Sequence, residues 1–361
     1  MKPISSVSQI TPDWLTRTLR QSGHLDQGNV VSVAPLGDQS AFSDGPGFQS
    51  TNRIEIKYSS DATPSAPRLL YLKGGFEHAG LNQSGGSLEM GFYTSVAGQM
   101  PYSPAPICFD AAYDPVAGAY HLLLEDVSKT HRTVHPEQPG TRIDTDRMLD
   151  ALARLHANWW GHLELGQSIG TIPTAEVIRA SFDQLGKSFP KYVDYLDDRL
   201  SAERCQVYES VLDKYPDALI RRLTQRQTLT LVHNDAHAGN FLLPRQLAGQ
   251  SVYLIDWQQW GVQVGVHDVA YLIALFWYPE RRARLEQSLV KGYHSRLREY
   301  GVMEYDWQTC WVDYRLQAIG NLLVPFWAWI FHGEHWGFHR WHQLEKAMLA
   351  YHDLECAEFL E

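Results

Sequence analysis

With 361 residues, 31 basic against 41 acidic side chains and a net charge of −10, the chain has the length for one large or two medium domains. No Lys/Arg run supplies the basic footprint that a phosphate backbone demands, which argues against a nucleic-acid partner. The four cysteines, Cys108, Cys205, Cys310 and Cys356, stand far apart, which argues against a disulfide framework or a zinc knuckle and for a reducing compartment.

The N-terminus lacks an apolar signal core, and the longest apolar stretches, 269–278 and 322–331, are too short to span a bilayer. A soluble cytoplasmic protein, monomer or homodimer, with no membrane partner is expected. The acidic balance suits a cationic substrate and suits solubility equally well.

Thr11-Pro12-Asp13 reads as a helix start, a cap followed by Pro at the first helical position, and the helix should end at Gly23. Strands are expected at 30–36 and 53–58. Between them lies a loop of Gly and Ser around Ser40, where backbone amides would suit nucleotide phosphates. An ordinary hairpin loop reads the same way, since Gly and Pro mark turns everywhere. A third strand, 69–73, ends on Lys73, a residue type rarely buried without a partner and suited to the phosphates of ATP. As a surface lysine at a strand end it would do nothing of the kind.

A helix beginning near Ser87 carries Glu89, which taken alone would merely favour the helix dipole. The apolar run 119–127 is a strand that turns acidic at Glu125 and Asp126, and a Pro/Gly-rich loop follows at 135–140. Beyond it the pattern is helical. Leu149, Leu152, His156 and Trp159 fall on one face at steps of 3, 4 and 3, and 174–186 and 202–226 read as further helices.

Apolar residues then enclose a polar turn, 231–243, in which Asp235 and Asn240 stand five positions apart. A short strand-like run ends on Asp256. An acid, an amide and a second acid at the edges of buried segments can gather round one divalent cation, and Mg²⁺ takes one or two carboxylates together with substrate phosphates. The order is that of phosphoryl transfer: an Asp to accept a hydroxyl proton, an Asn five residues on for metal, and a later Asp for metal.

On these residues the sequence resembles the aminoglycoside phosphotransferase and choline kinase superfamily, above all its ecdysteroid-kinase-like branch. The family loop reads His-Gly-Asp, four residues, then Asn, and here it is His233-Asn234-Asp235 through Asn240. Ile255-Asp256-Trp257 matches the family's Ile-Asp-Trp, Glu89 with Phe92-Tyr93 its Glu-x-x-Phe-Tyr, and Gly265 to Ala270 its Gly-x-x-Asp-Leu-Ala. Asp313-Tyr314-Arg315 resembles the tail of the pattern. The resemblance runs from about Lys73 to near Tyr314. Asn234 departs from it, standing where the family has Gly, though Asn tolerates left-handed backbone angles better than most residues.

The resemblance implies an α+β, bilobal, protein-kinase-like fold. Residues 1–127 would form a small nucleotide-binding N-lobe with an antiparallel sheet and one or two helices. Residues 128–361 would form a larger, mostly helical C-lobe with the catalytic loop, metal site and substrate pocket. It implies that Glu89 pairs with Lys73, that backbone groups from Glu125 to Val127 bind the nucleotide base, and that Asp268 braces the catalytic loop. The expected activity is ATP-dependent transfer of a γ-phosphoryl group to a hydroxyl of a small molecule, with Asp235 as base and Mg²⁺ on Asn240 and Asp256.

Two other readings compete. A nucleotide-binding pseudokinase or scaffold would use the same fold, although such proteins usually lose one of these residues and here all are present. A histidine-based metal hydrolase would use His233, Asp235 and His237, or His332, His335, His339 and His342, whose steps of 3, 4 and 3 share one face if the helix is continuous. The 12 tryptophans would suit a flat or cationic substrate, but core packing accounts for most.

Overall fold

Thr11 accepts the Trp14 amide and Pro12 opens helix α1 (Pro12–Gln21), which ends before Gly23 turns left-handed at φ 75°. The computed structural model describes residues 3–4, 6–36, 50–76, 85–135, 138–246, 251–333 and 337–361; Ser40 and His335 lie outside them. After α1 come strands β1 (Val30–Leu36), β2 (Ser50–Tyr58) and β3 (Leu69–Phe76), helix α2 (Gly85–Gly91), and strands β4 (Cys108–Asp114), β5 (Ala119–Glu125) and β6 (His131–Thr133). Helices α3 (Arg142–Trp159), α4 (Ala175–Leu196) and α5 (Ala202–Leu223) precede β7 (Leu229–Val232), β8 (Phe241–Pro244), β9 (Tyr253–Leu254) and β10 (Gly261–Val264). The remainder is helical: α6 (Val266–Ala270), α7 (Pro279–Glu299), α8 (Trp307–Gly320), α9 (Leu323–His332) and α10 (Phe338–Asp353). The class is α+β. No helix among the described residues is long and apolar enough to cross a membrane.

The chain divides into two units, Met1–Arg132 with Leu242–Trp260, and Thr133–Phe241 with Gly261–Glu361. In the first, five antiparallel strands run in the order β1-β2-β3-β5-β4. One face of the sheet closes over Leu15 and Leu19 of α1 together with Ile54, Ile56, Leu70, Leu72 and Leu123.

A single boundary near 128 would give each unit one continuous segment. The structure gives the first unit a second, later segment, because 242–260 finds its partners there. β8 and β9 join β6 in a three-stranded sheet, and the Leu254 amide donates to the Pro104 carbonyl at 2.8 Å. Apolar patterning marks a strand but not the strand it will pair with.

In the second unit Leu149, Leu152, His156 and Trp159 are all buried on α3, which packs against α7. β7 pairs antiparallel with β10, Val232 opposite Gly261, so His233 emerges where the ladder ends. Arg222 grips Asp313 with both arms of its guanidinium, at 2.5 and 2.7 Å, and the Tyr305 hydroxyl donates to the same carboxylate at 2.7 Å. The continuous helix required for a four-histidine face is absent. α9 stops where Gly333 takes φ 51°, and α10 starts only after Gly337 at φ 73°, so His332 and His342 belong to different helices.

Candidate active site

Lys73 sits in β3, its neighbours Thr51 on β2 and Leu122 on β5, and its side chain is buried. Its Nζ lies 2.8 Å from the Glu89 carboxylate and 2.7 Å from Asp256 Oδ1. Burial alone would pull the ammonium pKa down, but the two carboxylates outweigh it and hold Lys73 charged, above its ordinary value. For Glu89 burial is the largest influence and pushes the pKa up, with Lys73 opposing it. Glu89 lies mid-helix in α2, which begins at Gly85 and not at Ser87, so the helix-dipole reading has no place here. The Gln258 amide adds contacts of 3.5 Å to Glu89 and 3.2 Å to the Tyr120 hydroxyl.

α2 has poor helix formers and is held by packing. A Cβ on Gly86 would lie 2.3 Å from the Tyr120 ring, so only glycine lets α2 come this close to β5. Asp256 takes φ 66°, an uncommon angle for a non-glycine residue that the surroundings must enforce. They do so on its C-terminal side. Trp257 stacks on Phe92, and the Trp257 and Trp260 indoles donate to the Leu254 and Leu88 carbonyls.

At the end of β5 the Glu125 amide is donated to Ile107 and the Asp126 amide to Leu69, while the Val127 carbonyl accepts the Thr130 and His131 amides. Arg53 Nε reaches Asp126 at 2.7 Å. The Val127 amide has no partner among the described residues.

A second constellation lies in the other unit. Asn234 adopts φ 63°, the left-handed angle that glycine serves elsewhere. The fully buried Asp268 accepts the His233 amide at 2.7 Å and the Asn234 amide at 2.9 Å, and His156 Nε2 lies 3.2 Å away. It thus braces the loop and not its own helix. Gly265 is needed just before it, since a Cβ there would meet the Tyr293 hydroxyl at 2.7 Å and His156 at 3.0 Å. Asn240 Nδ2 donates to the Asp235 carbonyl at 2.8 Å and to Asp235 Oδ2 at 3.1 Å. Tyr271 donates its hydroxyl to Asp235 Oδ1 at 2.8 Å. His237 Nε2 is 3.8 Å from Oδ2, and Asp235 keeps 23% of its side-chain surface open.

The family model described as "Phosphotransferase enzyme family" (APH) matches residues 82–305, more than half of the chain. The chain belongs to that family. The match is to the family as a whole, and the chain is a phosphotransferase. Solved structures share its fold. A choline kinase from Cryptosporidium parvum Iowa II is 11% identical with TM-score 0.62, covering 97% of this chain and 98% of that one. A choline/ethanolamine kinase family protein from Mesorhizobium loti is 15% identical with TM-score 0.51, covering 89% and 92%. The Plasmodium vivax ethanolamine kinase Pv091845 is 11% identical with TM-score 0.52, covering 98% and 93%. At these identities the likeness is one of fold, the protein-kinase-like α+β fold. No curated protein matches the sequence.

The phosphotransferase's donor atoms suit a hard divalent ion. Asn240 spends its amide nitrogen on Asp235, which leaves Oδ1, an amide oxygen, as its available donor. Asp256 offers a carboxylate of which Oδ1 touches Lys73. Both are oxygen ligands of the type Mg²⁺ takes. Three residues that touch these side chains, Tyr120, Gln258 and Tyr271, have no signal in the sequence, since nothing in the spacing of a lone hydroxyl or amide sets it apart from any other strand, loop or helix residue.

Proposed function

We propose that this phosphotransferase is an ATP-dependent kinase that phosphorylates a hydroxyl of a small molecule. The observation that carries the reading is the buried Lys73 ammonium held between Glu89 and Asp256, at 2.8 and 2.7 Å. A lysine held charged and fixed in direction by two acids is a preorganised cation of the kind that steadies a nucleotide's phosphates. Neighbours named choline kinase and ethanolamine kinase support a small alcohol as acceptor.

In the proposed reaction Asp235 orients the acceptor hydroxyl. The acceptor oxygen bonds to the γ-phosphorus as the bond to the βγ-bridging oxygen breaks. The hydroxyl proton passes to Asp235, and the electron pair leaves on ADP. Lys73 steadies the phosphates and Glu89 steadies Lys73. Asn240 and Asp256 would hold Mg²⁺, which would supply charge neutralisation to the phosphate oxygens. With the Glu125 and Asp126 amides already committed, the Val127 amide and the Glu125 carbonyl take the base.

Calorimetry with Mg-ATP tests the nucleotide half. Wild type should bind, and Lys73→Met should bind at least tenfold more weakly. No heat from wild type at any nucleotide concentration up to millimolar would overturn the reading.

A further inference from the structure

We infer that Tyr271 is a positioning residue, fixing which oxygen of Asp235 is presented to the acceptor; the inference rests on Asp235 being the base. Its hydroxyl donates to Oδ1 at 2.8 Å. Asn240 and His237 both approach the other oxygen, Oδ2, at 3.1 and 3.8 Å. His237 Nδ1 accepts the Gly239 amide at 3.1 Å, which in a neutral ring leaves the proton on Nε2, the nitrogen nearer Oδ2. The last torsion of an Asp side chain is broad, so contacts to one oxygen alone leave the carboxylate loosely aimed. Tyr271 supplies the second point of attachment.

The phenol is itself held. Tyr271 is 8% exposed, and its ring leans on Phe276 at 5.7 Å and His267 at 6.5 Å between centroids. Its backbone opens a π-helical turn, Tyr271–Leu275, directly after α6, a rare local geometry that shifts the side chains following it relative to a regular helix. At the junction the Ala270 carbonyl accepts the buried Asn321 amide at 3.1 Å. Asn321 in turn caps the end of α8, so the placement of the phenol is anchored in a second helix. Burial, then the adjacent Asp235, push the phenol pKa well above its ordinary value, so it stays a donor.

The test is steady-state ADP release from Mg-ATP with the best acceptor among choline, ethanolamine and an aminoglycoside, or with water where none serves. Tyr271→Phe removes one oxygen and keeps the ring. Its kcat should fall about 10-fold, with KM for ATP and acceptor within about twofold of wild type. In an Asp235→Asn background the same change should cost less than about twofold, because its effect runs through that carboxylate. An unaltered kcat for Tyr271→Phe, or a full loss repeated in the Asp235→Asn background, overturns the inference. Full activity in Asp235→Asn alone overturns the base assignment instead. Should Tyr271→Phe not fold, Asn321→Ala is read in its place: about a 3-fold loss of kcat at unchanged KM supports the inference, and no loss overturns it.

Discussion

Trp257 lies flat on Phe92, ring centroids 3.5 Å apart and planes 7° from parallel. Phe92 follows Glu89 by three residues and Trp257 follows Asp256 by one. The stack therefore clips together the two segments that carry the partners of Lys73. Both rings are fully buried, and the stack adds about 0.5–1.5 kcal/mol to what their burial contributes.

Trp257→Ala should cost about 3–5 kcal/mol in urea unfolding, the range for removing a buried aromatic side chain. Trp257→Phe retains a stacking ring and should cost less than half of that. Equal losses for the two would show that the cavity matters and the stack does not.

Lys73→Met and Glu89→Gln separate charge from scaffold. The first removes the cation and should lower kcat/KM for ATP by about 10²–10³-fold. The second leaves Lys73 its Asp256 partner at 2.7 Å and should lose less. Initial rates at varied Mg-ATP decide this; a milder Lys73→Met would reverse the ranking.

Asp268 should carry an acid-side stability dependence. Burial alone would raise its pKa, but the hydrogen bond and charge of His156, with His267 and His233, hold it below 3.8. A folded pKa below the unfolded one adds stability that is present above about 3.8 and is lost as pH falls through the lower value. Asp268→Asn should be destabilised at pH 7 by about 2–4 kcal/mol and lose pH dependence below pH 4, read by thermal unfolding from pH 2.5 to 6.

Glu286 should act in the opposite sense. Burial pushes it up to about 7, against the hydrogen bond of Tyr314 at 2.6 Å and the charge of Arg282. A raised carboxyl pKa means that stability is fully present below about 4.5 and is lost as pH rises through about 7. The melting temperature of wild type should fall from pH 5 to 8.5 by more than that of Glu286→Gln. Parallel curves would remove the assignment.

Fixed spacing makes some features legible in the sequence: the proximity of Asp235 and Asn240, the strand of Lys73, the α3 face around His156. The caps at Thr11 and Gly23 are legible as well, because capping chemistry is local. What escaped was set by packing across long separations. The return of 242–260 to the first unit depends on β6 and Pro104, more than a hundred residues away. Tyr271 meets Asp235 across 36 residues of sequence, a contact that no apolar period signals. The histidine array failed for a local reason, since Gly333 and Gly337 break the helix that the spacing presupposed.

The central claim, that Asp235 receives the acceptor's proton, is tested most directly by acceptor-dependent ADP release from wild type and Asp235→Asn. Phosphorylated product should appear with wild type, while Asp235→Asn binds Mg-ATP within about threefold of wild type and turns over at least about 10³-fold more slowly. Equal acceptor-dependent rates for the two proteins would contradict it.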